Sequence, residues 1–596
     1  ENDLQDDNVV SQRGLIEMFD STIGASTVLM PFGGVTQNTE TQVSVQKLPV
    51  GNAVTNTASI MAFGYNPYIT SWSPYHGAAY AVVEAASKVV AAGARYDRMR
   101  YSYQEYFERM HTETSWGKPL AALLGALRMQ IELGLPSIGG KDSMSGTFQN
   151  INVPPMLMAF GITTVDARTV ISPEFKASGH NIYIIRHTPR ANHMPDSEAL
   201  KRNFDFVSTA IEHGDIVAAY AVGFGGVVEA VSKMSFGNRV GADVQMEEHK
   251  LFDYAYGSIV GEAVGELDSP AAEKIGTTTA AAEVVFNGER FAVDELQKVN
   301  SRKFCSVYPD RGIEGGTTRA SMPERREVKY EGKPVDEVKV YIPVFSGTNC
   351  DYDTAKAFER AGAHVATSVF CDLTADDIFA SIETMKRMID GCHIFVLSGG
   401  FSAGDEPDGS GKFIANVLNN RKITDAIHAL LDRGGLILGI CNGFQALVKS
   451  GLLPYGRLGC VGKESPTLFR NDINRHVSQI VTTRVATVNS PWLSSFEVGE
   501  LHSIAVSHGE GKFVVSDEMA EELFRNGQVA FQYVDPDGNA TLRAPYNPNG
   551  SSFGIEGIIS RDGHILGKMG HTERYEDGLF KNIAGNKVQE IFAKAG

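Results

Sequence analysis

Short apolar runs alternate with stretches of helical periodicity in the part of the chain that follows residue 337. The run Val338–Val344 begins this pattern, and the apolar runs Cys392–Leu397 and Leu436–Ile440 belong to it. Strands that alternate with helices along a chain form a parallel sheet with helices packed on its faces. The pattern therefore predicts an α/β domain with a parallel sheet in the carboxyl-terminal half.

The front half has a different pattern, with β-like runs such as Thr41–Val45 and alanine-rich helical stretches. The helical stretches are Gly77–Ala92, which Gly93 ends, and Leu120–Ile131. A second block contains a strand-like run at Asn181–Ile185 and a helix near Gly225–Val231. We therefore predict α+β architecture in two blocks, at residues 1–168 and 169–325.

A polar, charge-rich segment follows the second block and contains few apolar residues. It includes the sequence Pro323–Pro334, which has the composition of a linker. We therefore predict a linker at residues 326–336 and a third domain at residues 337–596.

Composition and charge narrow the class of protein. The chain has 596 residues, enough for three or four domains that each bury a core. Its formal net charge of −17, without a cluster of Lys and Arg, argues against nucleic-acid binding. Six scattered cysteines do not form a disulfide framework, and no apolar run reaches the length of a membrane span. We expect a cytoplasmic enzyme.

Cys441 is the strongest candidate for a catalytic residue. It lies between the apolar run Leu436–Ile440 and a helix-like stretch that begins at Asn442, with Gly439 and Gly443 on either side. A sharp turn from strand to helix exposes its corner residue, and the helix N-terminus there favours a thiolate. A buried core cysteine at a strand end is the alternative. The context favours a nucleophile.

A base and an orienting group follow near the carboxyl terminus. His571 is two residues before Glu573, so His571 can accept the thiol proton while Glu573 fixes the imidazole tautomer. The tripeptide alone is weak evidence, because a surface His beside a Glu is usually solvated. Together with Cys441 it predicts a Cys-His-Glu triad.

Paired glycines after the run Cys392–Leu397 are candidates for an oxyanion hole. Gly399 and Gly400 can turn a backbone N–H toward a developing oxyanion, and the N–H of Asn442 can supply a second donor. An ordinary glycine-rich loop between a strand and a helix is the alternative.

The front half has its own candidate site in the segment Pro136–Gly146. Its glycines allow close approach of a ligand, Lys141 can contact phosphate, and Asp142 offers an oxygen ligand for Mg²⁺. The glycine spacing of a P-loop is absent, and a polar turn between strands explains the segment equally well. Glu84 and Lys88 lie four residues apart in the first helix, where an intrahelical ion pair is the simpler interpretation.

Residues 337–596 resemble the glutaminase domain of the large, single-chain formylglycinamide ribonucleotide amidotransferases, the phosphoribosylformylglycinamidine synthases. The resemblance rests on six ordered segments: Phe345–Asp351, Ser398–Asp405, Gly439–Gly443, Val506–Gly511, Asn547–Ser551 and His571–Arg574. It implies a flavodoxin-like class I glutamine amidotransferase domain in which Cys441 attacks the amide of glutamine, with His571 and Glu573 completing the triad. It also implies that Gly399, Gly400, Asn442 and Gln445 bind glutamine or its oxyanion. Thr572 stands where the family often has Pro, and the loop Glu406–Ser410 departs from the family pattern.

Residues from 30 to about 325 resemble the second half of the same family's synthetase region, a fold shared with aminoimidazole ribonucleotide synthetase. The resemblance implies that the loop Gly140–Ser145 contributes to a site for ATP or ADP with Mg²⁺. The residues that it implies are Gly140, Lys141, Asp142, Ser143 and Ser145 for the nucleotide, and Asp142 and Glu84 for the metal. The family often has Asn four residues after that Glu, where this chain has Lys88.

The resemblance also implies what this chain does in a larger enzyme. The family's complete chain carries a first synthetase half, and the present chain, which starts at Glu1, corresponds to the carboxyl-terminal part. The whole enzyme converts formylglycinamide ribonucleotide, ATP and glutamine into formylglycinamidine ribonucleotide, ADP, phosphate and glutamate, so this is a ligase of purine biosynthesis. Alone, the chain is expected to hydrolyse glutamine at most. Two alternatives stay open: a cysteine hydrolase or peptidase on the same scaffold, and a non-catalytic scaffold stabilised by nucleotide.

Overall fold

The structure of the chain, a computed structural model, describes residues 2–51, 53–310, 312, 315–321, 323, 335–402 and 410–593. It divides into two compact units, each assembled from three segments. The first unit comprises Glu1–Gln12, Ser26–Ser306 and Gly578–Ala584. The second comprises Arg13–Ala25, Val307–Asp577 and Gly585–Gly596. None of the described helices is long and apolar enough to cross a bilayer.

The first unit contains a five-stranded sheet with helices on one face. In spatial order its strands are Ser44–Lys47, Thr57–Gly64, Met156–Asp166, Arg100–Tyr106 and Ser137–Lys141. Neighbouring strands are antiparallel except for the last pair, which is parallel. The α-helices that accompany it are Pro67–Trp72, Pro74–Ala91 and Glu113–Leu133, with a 3₁₀ turn at Tyr96–Arg98. Small residues bring the longest two helices together: a Cβ on Gly125 would lie 1.9 Å from the carbonyl oxygen of Tyr75.

The same unit contains a seven-stranded mixed sheet. Its spatial order is Ile216–Ala221, Ile259–Ala263, Asn181–Ile185, Ala272–Thr279, Gly241–Val244, Glu283–Phe286 and Glu289–Ala292. Its helices are Ser197–His213, Gly226–Phe236, Glu248–Leu251 and Val293–Ser301, with a 3₁₀ turn at Asp3–Gln5. Two short hairpins complete the unit, Phe32–Gly33 with Thr39–Glu40 and Thr147–Phe148 with Ile151–Asn152. The strands of the five-stranded sheet lie between residues 44 and 166, and those of the seven-stranded sheet lie between residues 181 and 292.

The second unit is built on a nine-stranded sheet. Its spatial order is His364–Val369, Lys339–Val344, Ile394–Leu397, Leu436–Ile440, Ile565–Lys568, Ile555–Ile559, Val529–Tyr533, Val477–Val485 and Leu501–His508. The first five strands are parallel and the others are antiparallel. The α-helices are Arg13–Ile16, Asp351–Arg360, Ala375–Gly391, Lys412–Leu418, Arg421–Asp432, Asn442–Ser450, Leu452–Tyr455 and Asp517–Arg525. A hairpin of Thr467–Phe469 with Lys512–Val514 and 3₁₀ turns at Ser552–Gly554 and Thr572–Arg574 complete it. The predicted parallel sheet is present.

The division into units differs from the predicted boundaries at both ends of the chain. Residues 13–25 belong to the second unit, although the prediction assigned them to the block 1–168. Residues 578–584 belong to the first unit, although the prediction placed them in the domain 337–596. Local pattern cannot reveal such exchanges, because they depend on contacts between residues that are far apart in sequence. The predicted linker lies outside the described residues except for positions 335 and 336.

The strand Leu436–Ile440 and the helix Asn442–Ser450 pack closely because glycine occurs where they meet. A Cβ on Gly443 would lie 1.9 Å from the carbonyl oxygen of Leu397 in the neighbouring strand, and one on Gly439 would lie 2.8 Å from the Gly443 backbone. Both glycines therefore serve close packing rather than a turn of positive φ.

We expect Gly443→Ala to destabilise the second unit by about 3 kcal/mol or more, because the added methyl overlaps backbone that cannot move independently. Chemical denaturation followed by fluorescence measures the free energy of unfolding. Gly462→Ala is the matched control, because a Cβ on Gly462 meets nothing within 4 Å. Equal stability of the two variants would contradict this account of the packing.

Candidate active site

Cys441 occupies the corner between the parallel strand Leu436–Ile440 and the helix Asn442–Ser450. Its backbone has φ 51° and ψ −105°, a conformation that L residues rarely adopt and that costs about 1–3 kcal/mol. The N–H of Cys441 donates to the carbonyl oxygen of Lys568 at 2.8 Å, which ties the corner to the next strand. The side chain is only 5% exposed, and its Sγ lies 3.7 Å from the carbonyl oxygen of Ser507. The predicted elbow is present, with its strain on the cysteine itself.

His571 and Glu573 are in direct contact, and both are buried. Nδ1 of His571 lies 2.6 Å from Oε1 of Glu573, and the backbone N–H of His571 donates to Ala505 at 2.7 Å. Nε2 of the same ring is buried and has no hydrogen-bond partner among the residues that the structure describes. A carboxylate at Nδ1 fixes the neutral ring with its proton on that nitrogen, which leaves Nε2 as an acceptor.

Because Gly399 has no side chain, the His571 ring and Cys441 can approach each other beside it. The position of a Cβ on Gly399 lies 2.8 Å from Cε1 of His571, the carbon bonded to Nε2, and 3.4 Å from Cβ of Cys441. The same position lies 3.0 Å from Sγ of Cys350. These distances bring the predicted nucleophile and base to the same small volume, although they are 130 residues apart in sequence.

The charge states of the thiol and the ring follow from burial. Burial raises the pKa of Cys441 well above its ordinary value, and the neighbouring Cys350 adds to the effect, whereas Arg574 opposes it. The prediction of a thiolate is therefore wrong for this state, because burial disfavours the charged form of the thiol more than Arg574 favours it. Burial and Arg574 lower the pKa of His571, so the ring is neutral near pH 7 and able to accept a proton.

The N–H groups of Gly399 and Gly400 donate to no residue that the structure describes. The carbonyl oxygen of Gly399 is in use, since it accepts from the N–H groups of Asn349 and Cys350 at 3.3 Å. Gly400 has φ 146°, and a Cβ there would lie 2.6 Å from the carbonyl oxygen of Gly347. Their role in an oxyanion hole stays a prediction that this geometry permits.

The side chains of Asn442 and Gln445 lie below the elbow and contact each other. Nδ2 of Asn442 donates to Oε1 of Gln445 at 3.0 Å, and Nε2 of Gln445 donates to the carbonyl oxygen of Glu510 at 2.6 Å. Both side chains are buried. Their predicted contact with glutamine therefore stays untested, and the diverged loop predicted at 406–410 lies outside the described residues except for Ser410.

Arg574 and Cys350 belong to this site, although sequence reasoning gave them no catalytic role. Nη2 of Arg574 lies 3.0 Å from Sγ of Cys350, and that sulfur lies 4.0 Å from Nδ1 of His571. The pKa of Cys350 is raised to about 12, mainly by burial. Cys350 lies in the motif Phe345–Asp351 and Arg574 in the motif His571–Arg574, and this was the sequence signal from which a role at the site could have been predicted.

Cys350, His571 and Glu573 place one ligand atom each within 4.8 Å of one another, the one such cluster among the described residues. The guanidinium of Arg574 contacts the sulfur, and Nδ1 is occupied by Glu573. A second cation at this point would be repelled, so we assign no metal to the cluster.

The predicted nucleotide loop begins with an exposed edge strand. Gly140 and Lys141 end the strand Ser137–Lys141, all of whose residues are exposed. Ser143 and Ser145 contact each other through their hydroxyl groups at 2.9 Å. Asp142 is exposed beside Glu105, which is buried and whose pKa is raised to about 7 by burial and by Asp142. The loop's contact with nucleotide stays a prediction.

The predicted metal ligand Glu84 is occupied by other groups. Its Oε1 lies 2.8 Å from Nζ of Lys88, and its Oε2 accepts from the N–H of Tyr65 at 2.9 Å. Lys88 also donates to the carbonyl oxygen of Phe63 at 2.9 Å. The intrahelical ion pair is thus the better interpretation, and the pair Glu84 and Asp142 does not fit a Mg²⁺ site.

The carboxyl-terminal half is similar to known glutamine amidotransferases. A family model described as a CobB/CobQ-like glutamine amidotransferase domain matches residues 337–595. A phosphoribosylformylglycinamidine synthase subunit PurQ from Gloeobacter violaceus is 33% identical over 253 residues, which are 42% of this chain and 96% of that protein. The PurQ subunit from Chlorobaculum tepidum is 35% identical over 258 residues, which are 43% of this chain and 97% of that protein.

Solved structures also match. The PurLQS structure from Thermotoga maritima is 27% identical, with a TM-score of 0.32, over 44% of this chain and 97% of that chain. PurL from T. maritima complexed with ADP is 17% identical, with a TM-score of 0.38, over 54% of each chain.

The raised pKa of Cys441 predicts slow alkylation without ligand. We expect iodoacetamide to modify Cys441 with a rate that still increases above pH 9, because a thiol with a raised pKa stays protonated there. Mass spectrometry of peptides measures the rate, with the exposed Cys371 and Cys460 as internal controls. A rate for Cys441 that levels off near neutral pH would contradict the assignment of a protonated thiol.

Proposed function

The chain belongs to the phosphoribosylformylglycinamidine synthase family, and from that membership we propose that its second unit hydrolyses glutamine to supply ammonia. The reaction that we propose for the whole enzyme consumes formylglycinamide ribonucleotide, ATP and glutamine. Its products are formylglycinamidine ribonucleotide, ADP, phosphate and glutamate. The observation that carries the proposal is the buried His571 ring, oriented by Glu573, whose Nε2 bonds to none of the described residues. Its Cε1 and Cβ of Cys441 both border the vacant Cβ position at Gly399.

Each step of glutamine hydrolysis has a group in this site. Sγ of Cys441 attacks the amide carbon of glutamine, and its proton passes to Nε2 of His571. The imidazolium, stabilised by Glu573, returns that proton to the leaving nitrogen, so ammonia departs and a glutamyl thioester remains. Water then attacks the thioester, with His571 as base, and releases glutamate and the thiol. The N–H groups of Gly399 and Gly400 are suited to stabilise the oxyanion of each tetrahedral intermediate.

The neutral state of both groups supports this order of events. Cys441 is protonated and His571 is neutral before glutamine binds, so proton transfer accompanies the attack. Exclusion of water by the bound substrate strengthens every electrostatic contact in the site.

We expect Cys441→Ala to lower glutamate release by more than about 1000-fold, because the nucleophile is lost. A coupled glutamate assay on the 596-residue chain measures it, with the exposed Cys371→Ser as the matched control. A glutamine-mimicking diazoketone is expected to label Cys441 alone and to be blocked by glutamine. Protection by peptides but not by glutamine would favour a cysteine peptidase, and glutamate release that survives Cys441→Ala would refute the assignment.

The partner that we propose is a first synthetase half, which would cover an apolar face in the first unit. Helix Pro74–Ala91 packs on one face of the five-stranded sheet, where Ala58, Ile60 and Ala62 are buried. The opposite face carries Met61 and Phe63, paired across the strands with Ile162 and Phe160. Three of these four side chains are at least 37% exposed.

The helix Glu113–Leu133 has a separate exposed apolar surface. Its inward face has small residues such as Ala122, Gly125 and Ala126. Its large apolar residues are exposed instead: Trp116, Leu120, Leu123, Leu124, Leu127 and Ile131. Exposed apolar surface of this extent marks an interaction site, and a second copy of the same fold has a matching sheet face to offer.

We expect Phe63→Glu to weaken association with a separately expressed synthetase half by about 100-fold, because it removes an apolar ring from the interface and adds a charge that association must desolvate. Sedimentation or calorimetry measures the dissociation constant. Val35→Glu, at an exposed apolar position outside this sheet, is the matched control. Unchanged affinity of the Phe63 variant would rule out this face as the interface.

A further inference from the structure

Residues 13–25 lie in the same unit as Cys441, and one of them reaches the glutaminase site. Oδ1 and Oδ2 of Asp20 lie 3.0 and 2.8 Å from Nη1 of Arg574, and the hydroxyl of Thr22 lies 2.8 Å from the same nitrogen. Arg574 directly follows Glu573 and is 1% exposed. The segment therefore supplies the counter-charge of a buried cation beside the predicted triad.

Several contacts hold this segment in place. Oδ1 of Asp20 accepts from the N–H groups of Thr22 and Ile23 at 2.9 and 3.2 Å, which fixes the carboxylate. The N–H of Gly24 donates to the buried Asp353 at 2.9 Å, and Glu17 pairs with Arg475 at 3.3 Å. Asp20 is thus an ordered carboxylate and not a mobile surface charge.

We propose that Asp20 is a positioning residue for glutamine hydrolysis, because it neutralises Arg574 and so leaves the carboxylate of Glu573 to His571. The proposal rests on the glutaminase function proposed above. Removal of one partner from a buried ion pair leaves the other charge uncompensated in a medium of low dielectric constant. Glu573 is the next carboxylate available to Arg574, so the guanidinium would compete with His571 for it. The 2.6 Å contact that orients the ring would then weaken.

The same contacts predict how loss of the Asp20 charge changes the pH dependence of reactions at Cys441. Among the described residues, the titratable and charged groups around the His571 ring are Glu573, Arg574, Asp20, Cys350, His476 and His508, with Cys441 across the vacant Cβ position at Gly399. Arg574 lowers the pKa of His571, whereas Glu573 and Asp20 raise it. Without the charge of Asp20, the pKa of His571 falls, so the acid limb of any reaction that needs neutral His571 moves to lower pH.

The test measures the second-order rate of Cys441 labelling by the diazoketone, as a function of pH, on the 596-residue chain. For Asp20→Asn we expect a rate about 10- to 100-fold below that of the unmodified chain, with the acid limb shifted to lower pH, since small displacements of a catalytic group have effects of this size. Asp20→Glu keeps the charge, so we expect most of the labelling rate and the original pH of the acid limb to be retained. Glu17→Gln, in the same segment and also paired with an arginine, is the matched control and is expected to leave both unchanged.

The Arg574→Gln background gives a comparison that does not need folded Asp20→Asn. Without the guanidinium Glu573 has no competitor, so we expect Asp20→Asn with Arg574→Gln to label Cys441 at the same plateau rate as Arg574→Gln alone. Slower labelling of the double variant overturns the proposal, as does a rate for Asp20→Asn equal to that of Glu17→Gln. A lower rate without any shift of the limb also overturns it, because that result indicates a purely structural role. Absence of glutamine-protected labelling in the unmodified chain refutes the glutaminase function instead.

Discussion

The hydrogen bond between the buried His571 and Glu573 is the contact on which the rest of the site depends. Both side chains are almost fully excluded from water, and the carboxylate stays ionised there because the imidazole, Arg574 and local hydrogen bonds lower its pKa against the effect of burial. A buried carboxylate without such partners would take up a proton and lose its hold on the ring. The orientation of Nε2 therefore depends on a chain of charges that continues through Arg574 to Asp20.

The sheet determines the position of His571, the last group in this series of charges, relative to Cys441. Cys441 follows a strand that is buried along its whole length, and the N–H of Cys441 is bonded to the end of the next parallel strand at Lys568. His571 lies three residues beyond Lys568, so the same edge of the sheet carries both the thiol and its base. Glycine at position 399 keeps the third neighbouring strand end free of a side chain. Three adjacent parallel strands thus bring Cys441, His571 and the predicted oxyanion donors to one edge of the sheet.

The sequence predicted those elements whose signals are local. The strands at 181–185 and 436–440 have the predicted bounds, and the helix predicted at 77–92 is the observed Pro74–Ala91, because apolar runs and glycine stops act over a few residues. The ion pair between Glu84 and Lys88 also follows from spacing alone. The charge state of Cys441 was predicted wrongly, since desolvation depends on how much structure covers the thiol. Asp20 could not be predicted at all, because it contacts a residue 554 positions away.

Arg574 acts on the two reacting groups in opposite directions, which explains why its own neutralisation matters. It lowers the pKa of Cys441 and so favours the thiolate, but it also lowers the pKa of His571 and so disfavours the imidazolium that must form with it. An unpaired guanidinium would thus stabilise the thiolate and destabilise the imidazolium, so its two effects on the proton transfer would oppose each other. Asp20 and Glu573 are carboxylates near Arg574, and both raise the pKa of His571, which favours the imidazolium. Arg574 stays in place to favour the thiolate of Cys441. In the proposed mechanism, the alternation of negative and positive groups from Asp20 to His571 is therefore what favours proton transfer from a neutral thiol to a neutral imidazole in a buried site.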